Sequence, residues 1–314
     1  MKVFSAEETR ALLPFAPLID ALDRGFARPV EAPLRHHHHM PNPDGVEDVL
    51  LLMPAWQAQG GLGGVKLVNV TPSNGARGLP AISSSYVLFD RETGRHLALL
   101  DGGELTARRT AAVSVLAARR LARSQSQHLL ICGAGRVGAN LARAYATEFA
   151  FTQISIWSRN PAAAEALAEE LRAEGLPAKS ADLEAAARAA DIISCATLAR
   201  EPFLRGEWLR AGQHIDLIGS FTPQMREADT LTLQKSRIFV DTPHALIESG
   251  ELAIPLSEGL IGAEKIEADL AILCAENWFA RQSPADITLF KAVGTAVADL
   301  ATAGLAWSQA ANPA

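Results

Sequence analysis

The residues best suited to chemistry form a glycine-spaced turn in the middle of the chain. An apolar run at 129–132 meets Gly133, Gly135 and Gly138, and a helical pattern follows at 141–149. In a dinucleotide site these glycines allow a tight turn, the approach of a pyrophosphate and close packing of the helix, whose N-terminus faces the phosphates. Because strand, turn and helix occur in this order, we predict dinucleotide binding. The predicted contacts are Gly133, Ala134, Gly135, Arg136, Val137 and Gly138.

The next strand pattern indicates which dinucleotide binds. It covers 153–157, and Ser158, Arg159 and Asn160 follow it without a carboxylate. An NAD site carries an acidic residue near this position to accept from the ribose 2′-hydroxyl. Here the serine can hydrogen-bond a 2′-phosphate, and the arginine can neutralise its charge and stack on adenine. We therefore predict NADP(H) in preference to NAD(H), with these three residues as cofactor contacts.

Small polar residues follow two later strand patterns. Strands that alternate with helices from about 121 to 290 predict an α/β fold with a doubly wound parallel sheet, whose ligand crevice lies at the carboxyl ends of the strands. Thr197, Gly219 and Ser220 stand at such ends. We expect them to border the cofactor, and turn formation alone is the alternative.

Three cations in the N-terminal part, Arg35, Lys66 and Arg109, are candidates for substrate binding. Lys66 lies among apolar residues of a predicted strand, and burial of an unpaired ammonium is costly, so this lysine should meet a carboxylate. Arg109 falls in the first turn of a predicted helix at 106–123, where a cation opposes the helix dipole. An anionic substrate would relieve both, since a guanidinium can bind a carboxylate through two hydrogen bonds. Internal salt bridges are the alternative.

The first 105 residues have a different pattern from the rest. Short β-rich runs at 46–56, 65–71, 81–89 and 96–100 are separated by Gly, Pro and Asn clusters and by a turn at 91–94. Successive strands with short turns predict an antiparallel meander.

Two segments there could suggest other chemistry. Four consecutive histidines occupy 36–39, but successive strand residues point to opposite faces and do not converge on one metal ion. We interpret them as an exposed segment and predict no metal. The glycine-rich run at 60–66 lacks the Gly-Lys-Ser/Thr ending of a phosphate loop, and no helix pattern follows it.

Composition limits the class of protein. The chain has 314 residues, 48% hydrophobic and 20% charged, which suits an ordinary globular protein of two domains. Its net charge of −6 gives no support for nucleic acid or an anionic membrane as a partner. No signal peptide and no apolar run of about 18 residues is found. Cys132, Cys195 and Cys274 are scattered, the first two in core-like strands, so we expect a cytoplasmic protein without disulfides.

Several motifs in order carry a family resemblance. They are KLVNVTPSN at 66–74, GLP at 78–80, DRETG at 90–94, LLDGGELTARRTAA at 99–112, the glycine motif, GSFTPQMRE at 219–227 and FKAVGTAVADL at 290–300. Over nearly its whole length the chain resembles the ornithine cyclodeaminase/mu-crystallin family. This resemblance implies a Rossmann domain at 116–289 and an α+β domain at 1–115, completed by 290–314. The second of these would bind a small amino or imino acid and form the contact of a homodimer.

The resemblance also implies roles for the three cations. By position, Arg35, Lys66 and Arg109 match the family's clamp for the substrate carboxylate. The same match makes Lys66 the proton donor near the reacting nitrogen, because a desolvated lysine beside other cations has the lowered pKa that such a role needs. Lys66 and Arg109 are therefore the predicted catalytic residues. Lys291 could reach the pocket or brace the C-terminal helix, and we favour the structural role.

Departures from the cyclodeaminase pattern narrow the predicted reaction. Those enzymes carry an acidic residue where this chain has Phe221, and another where it has Leu51; Ala81 replaces an expected threonine. Cyclodeamination moves several protons, which an aromatic ring cannot do. The remaining residues suit hydride transfer from NADPH to the C=N carbon of a cyclic α-imino acid such as 1-pyrroline-2-carboxylate, with Phe221 as an apolar contact for the substrate.

Three other functions stay open. The first is an ornithine or lysine cyclodeaminase, with acidic groups supplied from elsewhere. The second is an amino-acid dehydrogenase, such as one for alanine, or an opine-type enzyme. The third is a non-catalytic protein that binds NADP(H) or a small ligand. Only a cyclodeaminase would release ammonia without a net change in the cofactor.

Overall fold

A computed structural model describes residues 1–42 and 47–311. The strands are β1 (Lys2–Phe4), β2 (Val30–Glu31), β3 (His36–Met40), β4 (Asp48–Gln57), β5 (Leu62–Val70), β6 (Ile82–Asp90), β7 (His96–Asp101), β8 (His128–Cys132), β9 (Gln153–Trp157), β10 (Ala178–Ser180), β11 (Ile192–Cys195), β12 (His214–Leu217), β13 (Arg237–Val240), β14 (Ile266–Asp269) and β15 (Thr288–Lys291). The helices are α1 (Ala6–Ala11), α2 (Phe15–Phe26), α3 (Gly102–Leu121), α4 (Arg136–Tyr145), α5 (Pro161–Ala173), α6 (Leu183–Ala189), α7 (Thr230–Lys235), α8 (Ala245–Glu248), α9 (Gly250–Ser257), α10 (Leu270–Ala275) and α11 (Ala296–Ala311). The predicted strand start at Val46 and the last three residues of the predicted C-terminal segment lie outside the described residues.

Two compact units divide the chain. The first unit contains Met1–Arg109 and Thr295–Ala314, and the second unit contains Thr110–Gly294. Each has its own sheet.

The first unit is built on a mostly antiparallel sheet. Strands β4, β5, β6 and β7 pair in chain order as an antiparallel meander, as predicted, with β1 parallel to β7 at one edge. Both β2 and β3 pair with β4. Helix α2 packs on α11 and buries Phe15, Leu18, Ile19, Leu22 and Phe26, whose spacing of three and four residues forms one apolar face.

Helix α3 begins earlier than the sequence predicts. Asp101 Oδ1 accepts the N–H of Glu104 at 2.7 Å, so the helix starts at Gly102 rather than at 106. A Cβ at Gly102 would lie 2.6 Å from the backbone of Ser84, and this close packing explains a weak helix former at the start. Arg109 therefore lies about two turns inside the helix. The prediction that its charge opposes the helix dipole in the first turn is therefore wrong.

The second unit is built on a parallel sheet, which confirms the predicted Rossmann-type fold. Its strands lie in the order β10-β9-β8-β11-β12-β15-β13-β14, and each described neighbouring pair is parallel. Strand β15 enters between β12 and β13. Phe290 and Lys291, which the sequence assigned to the other domain, therefore pair in this sheet.

The remaining sequence features have simple structural outcomes. The histidine run forms the exposed strand β3, as expected. Cys132 and Cys195 are buried and free, as core residues should be. Within the described ranges, no group of His, Cys, Asp and Glu side chains could hold a metal ion. Over those same ranges, no helix is long and apolar enough to cross a membrane.

Candidate active site

Two cations of the first unit meet on one carboxylate. Lys66 lies at the centre of β5, and its Nζ is 2.7 Å from Asp299 Oδ2. Arg109 donates its Nε–H to Asp299 Oδ1 at 2.8 Å. All three side chains are buried, and Asp299 comes from the first turn of α11. The prediction that Lys66 meets a carboxylate is confirmed, and the internal salt bridge that the sequence left as an alternative is present.

The charges in this cluster do not cancel. Burial lowers the pKa of Lys66 to about 8, Asp299 opposes this shift, and Arg109 and Arg35 add to it. Burial also acts to raise the pKa of Asp299, but the charges of Lys66 and Arg109 hold it below its ordinary value. The carboxylate therefore stays ionised and balances only one of two cations, and Arg35 adds a further positive field. An anion fits such a cluster.

The hydroxyl of Tyr86 is buried beside the cluster of Lys66, Arg109 and Asp299. Tyr86 of β6 lies directly opposite Lys66 of β5 in the sheet register. Its Oη has no hydrogen-bond partner among the described residues, and a Cβ at Gly64 would overlap it. Burial raises the pKa of Tyr86 well above its ordinary value, and the charge of Asp299 adds to the effect. The hydroxyl is thus a neutral donor.

Sequence reasoning missed Asp299 and Tyr86 as members of this cluster. Asp299 had a usable signal, because it is a charged residue on the apolar face of a helical pattern, and such a residue needs a buried partner. Tyr86 had no such signal, because β5 and β6 are joined by the long segment 71–81, which does not fix the register that places Tyr86 opposite Lys66.

The glycine turn in the second unit fits a dinucleotide. Gly133 has φ +124°, which other residues rarely adopt, and its N–H donates to Trp157 O at 2.8 Å. A Cβ at Gly138 would overlap the carbonyl oxygen of Gly133, whereas the space around Gly135 is open. Gly135 is the N-cap of α4 and provides no side-chain cap. The three glycines thus have the geometry expected for the turn, the phosphates and the helix packing. Ala134, Arg136 and Val137 are partly or fully exposed at this turn.

The segment after β9 carries the residues predicted to contact a 2′-phosphate. Ser158 Oγ accepts the N–H of Asn160 at 3.3 Å, and Arg159 is exposed. Asn160 Oδ1 accepts the N–H of Ala162 at 3.1 Å, so this side chain caps α5. Serine and arginine are available to a phosphate, whereas the asparagine side chain has a structural partner.

The polar residues after β11 and β12 contact buried glutamates. Thr197 and Gly219 donate to Glu227, and the hydroxyl of Ser220 donates to Glu251 at 2.5 Å. All lie at the carboxyl ends of their strands, where the prediction placed them. The hydroxyl of Ser220, however, is directed into the protein interior.

Three further residues that the sequence analysis singled out have the following positions. Phe221, the predicted apolar contact, is 44% exposed. Leu51 is partly buried in β4. Lys291 is buried in β15 and donates to Leu217 O at 2.9 Å, which is a structural contact within the second sheet rather than a brace for α11.

Comparison with known proteins identifies the family. The model of the ornithine cyclodeaminase/mu-crystallin family matches residues 2–312. The chain belongs to this family. Δ1-pyrroline-2-carboxylate reductase of Colwellia psychrerythraea is 38% identical over 96% of this chain and 97% of its own length. The enzyme of the same name from Paracoccus denitrificans is 41% identical over 90% of this chain and 92% of its own length.

A solved structure gives the same result. Thermococcus litoralis Δ1-pyrroline-2-carboxylate reductase, in complex with NADH and L-proline, has a TM-score of 0.92 and 33% identity. The match covers 99% of this chain and 98% of that one. The predicted family and fold are therefore confirmed. The names of these relatives agree with the predicted class, an NAD(P)-dependent oxidoreductase that acts on C=N bonds.

Proposed function

We propose that the protein reduces cyclic α-imino acids to L-amino acids with NADPH, and that 1-pyrroline-2-carboxylate or its six-membered homologue is the substrate. The observation that supports this most is the buried cluster in which Lys66 and Arg109 share the single carboxylate of Asp299. A substrate carboxylate would supply the negative charge that this cluster lacks. The relatives named for this reaction match over nearly the whole chain.

Each residue of the cluster has a distinct proposed role. Arg109 gives its Nε–H to Asp299, so the terminal amino groups of its guanidinium bind the substrate carboxylate, together with Arg35. Lys66 gives a proton to the imine nitrogen. Its pKa of about 8 keeps it mostly protonated at neutral pH and makes the proton easy to release. Phe221 offers an apolar surface to the substrate ring.

The cofactor contacts remain those predicted from the sequence. The residues at 133–138 would hold the pyrophosphate, and the backbone of Thr197, Gly219 and Ser220 would border the nicotinamide end. The reduced nicotinamide supplies the hydride that the C=N carbon takes up.

A preference for NADPH over NADH is part of the proposal. Ser158 and the exposed Arg159 support it, because they follow β9 in place of an acidic residue. In Arg159→Ala we expect the KM for NADPH to rise about tenfold through the lost phosphate contact, while the KM for NADH stays unchanged. Arg172→Ala is the control, because Arg172 lies on α5, the helix that follows Arg159, and pairs there with Glu165. Equal kcat/KM for both cofactors in the unmodified enzyme would contradict the preference.

We also propose a cytoplasmic homodimer that forms through the first unit. Light scattering after size exclusion should give twice the mass of the chain. A monomeric mass would contradict this part of the proposal.

Absorbance of NADPH tests the reaction itself. With 1-pyrroline-2-carboxylate we expect rapid loss of NADPH and one proline for each NADPH oxidised. Ornithine with oxidised cofactor, and pyruvate with ammonia and NADPH, should react far more slowly. If the imine is inert and ornithine yields proline and ammonia, the protein is a cyclodeaminase. Cofactor binding without turnover of any of these substrates would indicate a binding protein.

A further inference from the structure

Two buried glutamates in the second unit take no part in the proposed chemistry. Glu227 follows β12, and Glu251 lies in the first turn of α9; both are fully buried. Glu227 Oε1 accepts the N–H and the hydroxyl of Thr197 at 2.7 and 2.8 Å, and Glu227 Oε2 accepts the N–H of Gly219 at 2.8 Å. One carboxylate thus ties the segment after β11 to the segment after β12.

Glu251 holds this arrangement from the other side. Its Oε1 accepts the N–H groups of Glu227 and Ala228 at 2.6 and 2.7 Å. Its Oε2 accepts the hydroxyl of Ser220 at 2.5 Å, and that hydroxyl also lies 2.7 Å from Ser249 Oγ. Every oxygen of the two carboxylates therefore has a donor, and most of these donors are backbone N–H groups.

The segment after β11, one of the two that Glu227 holds, is packed against the glycine turn, and the segment after β12 is packed against it in turn. A Cβ at Gly133 would lie 2.6 Å from Ala196 O and 3.6 Å from Thr197 Cγ2. A Cβ at Gly219 would overlap the backbone of Thr197 and the carboxylate of Glu227. These segments leave no room for a methyl group, so the hydrogen bonds to Glu227 join closely packed backbone at the carboxyl ends of the strands. That edge is where parallel α/β sheets bind ligands.

We propose that Glu227 is a positioning residue for the pyridine nucleotide, which acts by fixing the backbone of Thr197 and Gly219 where the nicotinamide end of the cofactor binds. This inference rests on the proposed function, since it assumes a dinucleotide in this crevice. An ionised carboxylate can accept all three hydrogen bonds. A protonated one carries a hydrogen that faces a donor, and it loses at least one of them. Cofactor affinity should therefore depend on ionisation of Glu227.

Titratable groups face Glu227 from three elements: Glu251 on α9, Lys291 on β15 and the neutral thiol of Cys195 on β11. Burial and then the charge of Glu251 raise the pKa of Glu227 to about 7, while Lys291 and the hydrogen bonds from Thr197 oppose this shift. The ionised form is the one that holds both segments. The affinity for the dinucleotide should thus fall as the pH drops through about 7.

The dissociation constant of NADH, measured by fluorescence between about pH 6 and 8.5, tests the inference. NADH is used because it lacks the 2′-phosphate, which titrates in this range. In the unmodified enzyme the affinity should fall about tenfold below the midpoint, as expected for the loss of one charge-assisted hydrogen bond. In Glu227→Gln the affinity at the upper pH should be about tenfold weaker, because the amide N–H faces one of the donors, and the pH step should disappear.

Glu251→Gln is the second variant, and it keeps the carboxylate of Glu227. Its amide oxygen can still accept the two N–H groups, while the charge that raises the pKa of Glu227 is removed. The midpoint of the pH step should therefore move to lower pH. A purely structural role for the glutamates would lower the Tm of the variants without moving this midpoint, and that result would overturn the inference.

The outcomes separate the two proposals. If the unmodified enzyme binds no NADH and oxidises no NADPH with the imine, the proposed function fails and the inference fails with it. If it binds and reduces the imine, but Glu227→Gln keeps the same affinity and the same pH step, only the inference fails. If Glu227→Gln does not fold, the midpoint in Glu251→Gln decides, and an unchanged midpoint overturns the inference.

Discussion

In the first unit two buried cations share one carboxylate, whereas in the second unit two buried carboxylates face one lysine. Lys66 and Arg109 both contact Asp299. In the second unit the two carboxylates are those of Asp216, which lies in β12, and Glu227, and both are buried. Burial raises the pKa of Asp216 to about 6 and that of Glu227 to about 7, and in both cases the charge of Lys291 opposes the shift.

The two clusters also differ in how their hydrogen bonds are satisfied. Glu227 is held by backbone N–H groups and a hydroxyl, so its lone pairs are used without a second cation. Lys66 and Arg109, in contrast, share one carboxylate as their ionised acceptor. This difference agrees with the two proposals, in which the first unit binds an anionic substrate and the second unit holds backbone in place for the cofactor.

Lys66→Met tests the first half of this comparison with the largest expected effect. Methionine keeps most of the volume and removes the proton and the charge. We expect kcat/KM for the imine to fall by a factor of about 10²–10⁴, the usual contribution of a general acid. NADH affinity, measured in parallel, should change little, because the glycine turn belongs to the other unit. Retention of imine turnover within about tenfold would remove Lys66 from the mechanism.

Arg109→Lys asks whether the geometry of the cation matters as well as its charge. Lysine keeps the charge but loses the planar fork that can bind two carboxylates at once. We expect the KM for the imine to rise about 10–100-fold, with a smaller change in kcat. Steady-state kinetics at fixed NADPH measure both.

Arg108→Lys is the matched control for that substitution. Arg108 precedes Arg109 on the same helix and is also buried, but its Nε–H donates to Leu13 O and its guanidinium lies 4.0 Å from the centre of the Phe15 ring. The control should lower the Tm and leave the KM unchanged. Equal rises in KM for both variants would mean that packing, and not a substrate clamp, explains the effect.

The fold was predictable where its signals are local. The bounds of β9 match the prediction residue for residue, because alternating polar and β-favouring apolar residues between polar turns mark a strand. The start of α3 was not predictable, because the helix begins with two glycines, which are weak helix formers, and Gly102 is explained only by its packing against β6. The position of β15 in the second sheet depends on pairing with β12, more than 70 residues away in sequence. No local pattern carries that information.

The residues of the candidate site were likewise predictable only where the signal lies in the local sequence. Lys66 and Arg109 could be found, because a cation in an apolar strand or helix is conspicuous. Their shared partner Asp299 lies 190 residues after Arg109, on a helix that only the tertiary fold brings to β5. The glycine turn lies within residues 133–138, so its spacing could be found from the sequence, whereas its contacts with Trp157 and Ala196 could not.

Asp299→Asn tests whether the shared carboxylate controls the proton on Lys66. The charge of Asp299 raises the pKa of Lys66, while burial, Arg109 and Arg35 lower it to about 8. In the unmodified enzyme kcat/KM should fall as the pH rises through about 8, because Lys66 loses its proton. In the variant the pKa of Lys66 drops further, so the midpoint should move to lower pH. A shift of one unit reduces kcat/KM about tenfold on the alkaline side.

The pH profile of kcat/KM, recorded for both proteins, measures this shift. Asn is close in size to Asp, so changes in packing alone would lower the whole profile without moving its midpoint. An unchanged midpoint would show that Asp299 holds the side chains in place but does not set the proton affinity of Lys66. The carboxylate of Asp299 in the first unit would then have only a positioning role, as we propose for Glu227 in the second unit.

Tyr86→Phe gives the smallest expected effect and tests the comparison at a single atom. The Oη of Tyr86 is buried without a partner among the described residues, whereas each carboxylate oxygen of Glu227 has one. If the first unit is arranged for a ligand, this hydroxyl donates to the substrate, and its removal should raise the KM about three- to tenfold, as for one neutral hydrogen bond. The Tm should stay the same or rise slightly, because phenylalanine fills the space and buries no unpaired hydroxyl. An unchanged KM with a lowered Tm would show that the hydroxyl stabilises the fold and does not bind a ligand.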